Sequence, residues 1–235
     1  MTNALTLRGI TRAFSGGVRV LEQLDLDVPK GGIFVILGHS GCGKSTLLRI
    51  MGGFDKADSG SVLLGDDPVT APRRDIVMMF QSYDQLFPWH TLRGNLLFAL
   101  READVEREPQ KAKARADEYL YKTGLGGFED AYPHTLSGGM KQRGALARAL
   151  CLTPRVLLMD EPFSSLDFLT RRSMQTLLRQ LQREAGITVV LVTHDMDEAL
   201  RIGDTIAVLD QSTGRLILCE KDAAKLEALL TQQSN

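Results

Sequence analysis

What this chain has little of narrows its function early. Its 235 residues include one tryptophan, three cysteines and no apolar run long enough to cross a bilayer. The longest apolar stretches, such as residues 156–159 and 189–192, have the length of buried strands. No signal peptide is expected at Met1-Thr2-Asn3-Ala4. An excess of charge is missing too: 28 Lys and Arg face 29 Asp and Glu, and nothing in that balance argues for nucleic acid. Cys42, Cys151 and Cys219 are too far apart for a metal or redox pattern. Repeats and low-complexity segments are absent. A cytosolic chain is expected, with any membrane role reached through partners.

What is present reads as an α/β domain with a core of substantial size. Residues 5–14 and 18–28 alternate apolar and polar positions, as half-buried antiparallel strands do, with Gly16-Gly17 as the turn between them. A buried strand at 33–37, a glycine loop and a helix at 44–51 follow, closed by Gly52-Gly53. Strands are expected at 61–64 and 76–80. From 81 to 153 strand patterns vanish, and helical periodicity appears at 91–100, 110–123 and 139–152. Strand and helix then alternate: 156–159, 168–184, 188–192, 196–202, 206–209 and 216–219, ending in an amphipathic helix at 221–230 and a polar tail at 232–235. Such alternation predicts a mostly parallel sheet with helices on its faces. The chain is therefore expected to be one domain. Residues 1–81 and 154–235 form an α/β core with an N-terminal antiparallel β subdomain, and 82–153 form an inserted helical subdomain.

Three segments carry chemistry. Gly38-His39-Ser40-Gly41-Cys42-Gly43-Lys44-Ser45-Thr46 has the spacing G-x-x-x-x-G-K-S between a strand and a helix. Its glycines let backbone N–H groups face phosphates at the positive end of the helix, Lys44 can reach the terminal phosphates, and the Ser45 hydroxyl suits Mg²⁺. Residues 156–159 run into Asp160-Glu161. Two carboxylates at the end of a buried strand beside such a loop call for a cation, with Asp160 toward Mg²⁺ and Glu161 toward an attacking water. Leu136-Ser137-Gly138-Gly139-Met140-Lys141-Gln142-Arg143 precedes a periodic helix, with Ser137 as its N-cap. Capping and phosphate reception coincide there, since a helix N-terminus is where an anion is received. Oxidation of Cys42 is one reading of its place in the loop; a small residue tolerated between two glycines is the plainer one.

Together these segments resemble the ATPase subunits of ABC transporters over nearly the whole chain. The resemblance implies a P-loop fold, ATP as substrate and Mg²⁺ as cofactor. It places Gln81 as the Q-loop glutamine, near Mg²⁺ and the attacking water, and His194 in Thr193-His194-Asp195 as the switch histidine that bonds the γ-phosphate. Phe14 falls where the family stacks an aromatic on adenine. Ser165 and Asp167 in Ser164-Ser165-Leu166-Asp167 fall in the D-loop that joins two subunits. His39 and Met140 replace commoner residues at variable positions. In the family, residues matching Ser137, Gly138 and Gly139 of a second copy close the site over ATP, and an integral membrane permease docks near the Q-loop. In residues 82–89, Leu86, Phe87 and Trp89 are expected to line a groove for a short permease helix, with core packing in the helical subdomain as the alternative for some of the apolar residues. Arg143 and Arg148 read as a solvated or docking face of the helix that opens at Ser137-Gly138-Gly139, the segment matching the family's signature.

The segment Phe87-Pro88-Trp89-His90-Thr91-Leu92-Arg93-Gly94-Asn95-Leu96, then Glu161-Pro162-Phe163-Ser164-Ser165-Leu166-Asp167 with Thr170-Arg171, and Asp195-Met196-Asp197-Glu198-Ala199, resemble nitrate, sulfonate and taurine importer ATPases. That resemblance implies a peripheral protein on the inner face of the cell membrane and, indirectly, an extracytoplasmic solute-binding protein. The chain stops soon after Cys219, so no added regulatory domain is expected. A chromosome-maintenance or repair ATPase would place a long coiled coil between the motifs, yet only about ninety residues separate Ser45 from Leu136. A translation-factor protein would carry two cassettes. A soluble iron–sulfur-assembly ABC ATPase is the non-transport alternative, weighed against by Phe87-Pro88-Trp89.

Overall fold

A computed structural model of the chain describes residues 3–14, 19–81, 85–219 and 223–232. The expected turn at Gly16-Gly17, Ser82-Tyr83-Asp84 of the Q-loop segment, Lys221 and the tail residues 233–235 lie outside the described residues.

Two sheets stack. The smaller is antiparallel, with order β2-β1-β4-β5, from β1 (Asn3–Ala13), β2 (Arg19–Pro29), β4 (Ser59–Leu64) and a short β5 (Asp67–Pro68). The larger has order β10-β9-β3-β8-β7-β6, from β3 (Ile33–Leu37), β6 (Ile76–Met79), β7 (Val156–Asp160), β8 (Thr188–Thr193), β9 (Thr205–Asp210) and β10 (Arg215–Cys219). Every neighbour pair from β6 to β9 is parallel, and only β10 runs antiparallel. Parallel strands covered on both faces must be apolar throughout. β3, β7 and β8 are buried at every position.

The two faces of these strands feed two cores. Phe34, Ile36, Leu158, Val190 and Val192 point toward α1 (Lys44–Met51) and the antiparallel sheet. The intervening Val35, Leu37, Leu157, Met159, Val189 and Leu191 pack with α4 (Gly138–Leu150), α5 (Phe168–Ala185), α6 (Met196–Ile202) and α7 (Ala223–Gln232). This is the period-2 alternation of a strand applied to a three-layer stack.

Between β6 and β7 the described residues hold no strand. α2 (Leu92–Glu102), α3 (Pro109–Lys122), a 3-10 turn at Pro133–Thr135 and α4 enclose a third core of Leu92, Leu96, Leu100, Ala112, Ala116, Leu120, Leu125 and Leu136. Helix starts follow local chemistry. Thr91 caps α2 by accepting from the Gly94 N–H, Ser137 caps α4 from Met140, Asp167 caps α5 from Leu169 and Thr170, and Asp195 caps α6 from Glu198. α1 ends on Gly52, with the following Gly53 in the left-handed conformation at φ 73°. α4 serves both the helical core and the main sheet, so it joins the two.

Leu86 lies in the helical core at 3% exposure. The reading of Leu86 as lining the permease groove gives way to the core-packing alternative. The side chain turns inward, against Leu92 and the space left by Gly144.

Candidate functional site

The carboxyl ends of β3, β7 and β8 converge on a depression of about 400 Å³. Phe14, Val20, Ser40, Gly41, Gly43, Lys44, Ser45, Thr46, Gln81 and Glu161 line it. This is where a ligand sits in an open parallel sheet. α1 begins at its floor with no side-chain cap, unlike the four side-chain-capped helices, and with no acid in its first turn. Its free N–H groups and positive dipole end face the depression. Gly43 takes φ 104°, and a Cβ there would meet the Val20 carbonyl at 3.0 Å, so the loop's path demands glycine. Gly38, His39 and Cys42 support the loop from outside this lining. The Gly38 N–H donates to Thr193 O at 3.3 Å, and a Cβ on Gly38 would press on the Cys42 Sγ and the Leu209 carbonyl.

Lys44 is folded back into its own loop. Its Nζ donates to the carbonyls of Gly38 at 2.8 Å and His39 at 2.7 Å, and lies 3.9 Å from Glu161 Oε1. The Lys44 side chain is 4% exposed. A phosphate entering the cradle would exchange neutral acceptors for anionic ones, which make stronger bonds.

The acidic pair divides its work by direction. Asp160, buried at the end of β7, accepts the Ser45 hydroxyl at 2.9 Å. Burial pushes its carboxyl up from the usual range and the Glu161 charge adds to this, while the Ser45 bond and Lys44 oppose it. Glu161 takes φ 43°, a conformation a glutamate rarely adopts, and its N–H is held by the Val192 carbonyl at 3.1 Å. That turn swings the side chain out of the strand. Glu161 Oε2 accepts from Gln81 Nε2 at 3.4 Å and lies 3.1 Å from His194 Nδ1. A carboxylate only accepts, so opposite an ionised Glu161 Nδ1 carries the proton and Nε2 faces elsewhere.

Among the described residues no group of three or more His, Cys, Asp or Glu could hold a metal ion. A divalent cation here has Ser45 Oγ and Asp160 Oδ1 as neighbouring oxygen donors and needs substrate oxygens to complete its shell. Such a set suits Mg²⁺, which keeps few protein ligands and shares phosphates.

A second depression, about 530 Å³, opens elsewhere on the surface. Ser137, Gly138 and Gly139 line it together with Ser165, Leu166, Asp167 and Thr170. The structure thus gathers the signature and D-loop residues into one face, apart from the residues lining the Lys44 cradle. Ser137 Oγ accepts the Met140 N–H at 3.3 Å. Asp167 Oδ1 accepts two N–H groups of α5 at 3.1 Å each, and its carboxyl is held below the usual range first by the Thr170 hydroxyl and then by these N–H bonds.

Sequence reading missed several supports. Asn95, fully buried on α2, accepts the Phe87 N–H at 2.7 Å and donates to the carbonyls of Phe87, His90 and Thr91. It staples the turn that presents Trp89, which is 68% exposed and tilted against Phe87. An asparagine amid the apolar positions of a helix was the available signal. Gln142, buried on α4, donates to the Pro162 carbonyl at 2.8 Å and so ties the signature helix to the residue after Glu161. The Arg12 guanidinium lies 5.7 Å from the centre of the Phe14 ring. His39 Nε2 donates to the Leu230 carbonyl at 3.2 Å in the last turn of α7, a long-range contact no spacing reveals. Arg143 donates to Thr123 O and Ser173 Oγ, and Arg148 covers the Phe87 ring at 5.3 Å, so both dock α4 to its surroundings. Burial pushes the Cys42 thiol up, disfavouring the thiolate that oxidation requires.

Because the Asp160 carboxyl holds its proton more tightly folded than unfolded, the folded state loses stability as pH rises through and above the ordinary carboxylate range. Asp160→Asn removes that loss. Urea titrations at successive pH values should show the variant at least as stable as wild type near neutrality, with the difference closing in acid. A variant less stable at neutral pH would contradict this reading of the site.

Comparison with known proteins agrees with this geometry. The family model described as ABC transporter matches residues 21–164. The spermidine/putrescine import ATP-binding protein PotA of Nitrosospira multiformis is 46% identical over 88% of this chain. The bicarbonate transport ATP-binding protein CmpC of Synechococcus elongatus is 41% identical over 92% of it. The chain spans 57% of the first relative's length and 33% of the second's. A dimeric post-hydrolysis structure of the ATP-binding cassette MJ0796, bound to ADP and Pi, superposes with a TM-score of 0.81 at 31% identity, covering 93% of this chain and 99% of that one. With the α/β core, the phosphate cradle and the separate signature face all in place, the chain belongs to the ABC transporter ATP-binding family.

Proposed function

We propose that this chain binds and hydrolyses ATP to power an ABC importer of a small solute, of the nitrate, sulfonate or taurine type. The observation that carries the reading is the position of Glu161. Its Oε2 is within hydrogen-bond reach of both Gln81 and His194, and its Oε1 lies 3.9 Å from the Lys44 ammonium. A carboxylate so held faces the place where a terminal phosphate would meet water.

In this reading the phosphates of ATP lie along residues 38–46, and Lys44 leaves the Gly38 and His39 carbonyls for the terminal phosphates. Phe14 offers its half-exposed ring to adenine. Ser45 and Asp160 hold Mg²⁺ with Gln81 nearby; when bound, the ion offsets charge on the phosphate oxygens. Glu161 orients and accepts a proton from the attacking water, and His194 turns a ring N–H to the γ-phosphate. Ser137, Gly138 and Gly139 serve the ATP of a second copy, and Ser165 and Asp167 help join the copies. Exposed Phe168 and Leu169, directly after Asp167, suit such an interface. Closure over ATP and opening after hydrolysis form the working stroke.

The stroke reaches a membrane permease through the helical unit of residues 82–153, inserted into the α/β core of 1–81 and 154–235. Trp89 and the flanking Phe87 are the contact. The protein sits on the inner face of the membrane through that permease, and a solute-binding protein acts on the far side. No helix among the described residues is long and apolar enough to cross a membrane. The segment of residues 87–96 and the likeness to a bicarbonate transport protein support a small-anion solute. The import names of the relatives favour this over a soluble iron–sulfur-assembly role.

Glu161→Gln keeps the shape of the side chain but not its charge or basicity. ATP turnover should fall about 10²–10⁴-fold with nucleotide affinity retained, measured by steady-state hydrolysis and equilibrium binding. Turnover unchanged in this variant would refute the assignment. Trp89→Ala should leave turnover of the isolated chain intact and reduce its stimulation by reconstituted permease; full stimulation would remove Trp89 from the contact.

A further inference from the structure

The first turn of α5 touches both surfaces described above. At one end, the backbone of Gly139 lies directly on Thr170: a Cβ on that glycine would come within 2.8 Å of Thr170 Cγ2. At the other, Arg171 Nη1 donates to Asp195 Oδ2 at 3.1 Å, on the residue following His194. The same guanidinium donates through Nη2 to the Leu166 carbonyl at 3.2 Å, inside the D-loop segment. Arg171 also donates its backbone N–H to Asp167 O at 2.9 Å.

Asp195 is itself tightly held. Its Oδ1 accepts the Glu198 N–H and its own N–H donates to Thr193 Oγ1, both at 3.0 Å. The buried Glu198 accepts from Gln175 Nε2 at 3.1 Å. His194 is therefore bracketed by two residues fixed in one network, and Arg171 is the arm of that network that leads to the D-loop. Arg171 Nε and Gln175 Oε1 are buried without a hydrogen-bond partner among the described residues.

We propose that Arg171 is a positioning residue that couples the face formed by the signature and D-loop to His194 at the chain's own phosphate cradle. Thr170-Arg171 then lets occupancy of one ATP site set the switch histidine of the other. A planar guanidinium suits the task because its rigid fork holds a carboxylate and a carbonyl in fixed directions, whereas an ammonium is a compact point charge on a flexible stem. The inference rests on the functional reading above and adds to it a residue and a path.

The test is steady-state ATP hydrolysis by the full chain and its variants, recorded over a range of ATP concentrations. Arg171→Gln should lower kcat by about 10–100-fold, the scale on which misplacement of a catalytic group acts. Its KM for ATP should stay near that of wild type, and any cooperativity in ATP should be reduced. Asp195→Asn keeps the α6 cap but weakens the bond to Arg171, and should show the same loss. The double variant should be no worse than either single one, because both break one link. Arg171→Lys should recover only part of the rate. Arg179→Ala on the same helix removes an ion pair with Asp204 far from the network, and should leave turnover unchanged. Absence of turnover by the wild-type chain would overturn the functional reading and the coupling with it. Wild-type turnover matched by Arg171→Gln and Asp195→Asn, losses that add in the double variant, or an equal loss in Arg179→Ala, would overturn the coupling alone.

Discussion

Two carboxylates sit side by side where a strand buried on both faces comes to its end, and the rest of the structure is arranged around that cost. Neighbouring negative charges in a poorly hydrated place repel each other and lose solvation. The protein meets this by sending the two side chains in different directions. Asp160 stays in the strand and binds Ser45, while Glu161 is turned out by a strained φ of 43°. The Lys44 ammonium lies on the same side at 3.9 Å from Glu161. The cradle, the acidic pair and His194 thus belong to one electrostatic arrangement.

The elements around this arrangement solve the matching structural problem. A parallel sheet needs helices on both faces, and its loops collect at one edge. β3 delivers the glycine loop, β7 the carboxylates and β8 Thr193-His194. Their register brings Leu37 opposite Thr193 and Asp160 opposite Val192. Local caps then set where each following helix begins, and at α1 alone among the helices that leave this edge no side chain closes the end.

Much of this was legible in the chain, for a physical reason. Glycine spacing, apolar runs and N-caps are local codes, so the phosphate loop, the end of β7 and the starts of α2, α4, α5 and α6 could be read directly. Helix α6 spans residues 196–202, as its periodicity predicts, whereas β4 begins two residues earlier than its apolar pattern suggests, at Ser59. That extension pairs exposed residues with β1, so the hydrogen-bond ladder continues where the apolar signal has ended. What escaped were contacts between distant polar groups. Asn95 looks like a poor helix residue until the Phe87–Thr91 turn folds over it. Gln142 looks like a surface residue until Pro162 arrives. Leu86 reads as part of an exposed aromatic segment, yet packs inward because the turn held by Asn95 reverses the chain beside it.

The arrangement also implies a division. The residues proposed to bind ATP from its two sides, Lys44 with Glu161 and Ser137 with Gly139, lie in separate depressions of one chain, so a closed site requires two chains. Sedimentation velocity of Glu161→Gln with and without Mg²⁺-ATP tests this most directly. The nucleotide should convert monomers to a stable dimer, and adding Ser137→Arg to the same chain should abolish that conversion while ATP still binds. Monomers that stay monomeric with ATP bound, or a dimer indifferent to Ser137→Arg, would contradict the shared site.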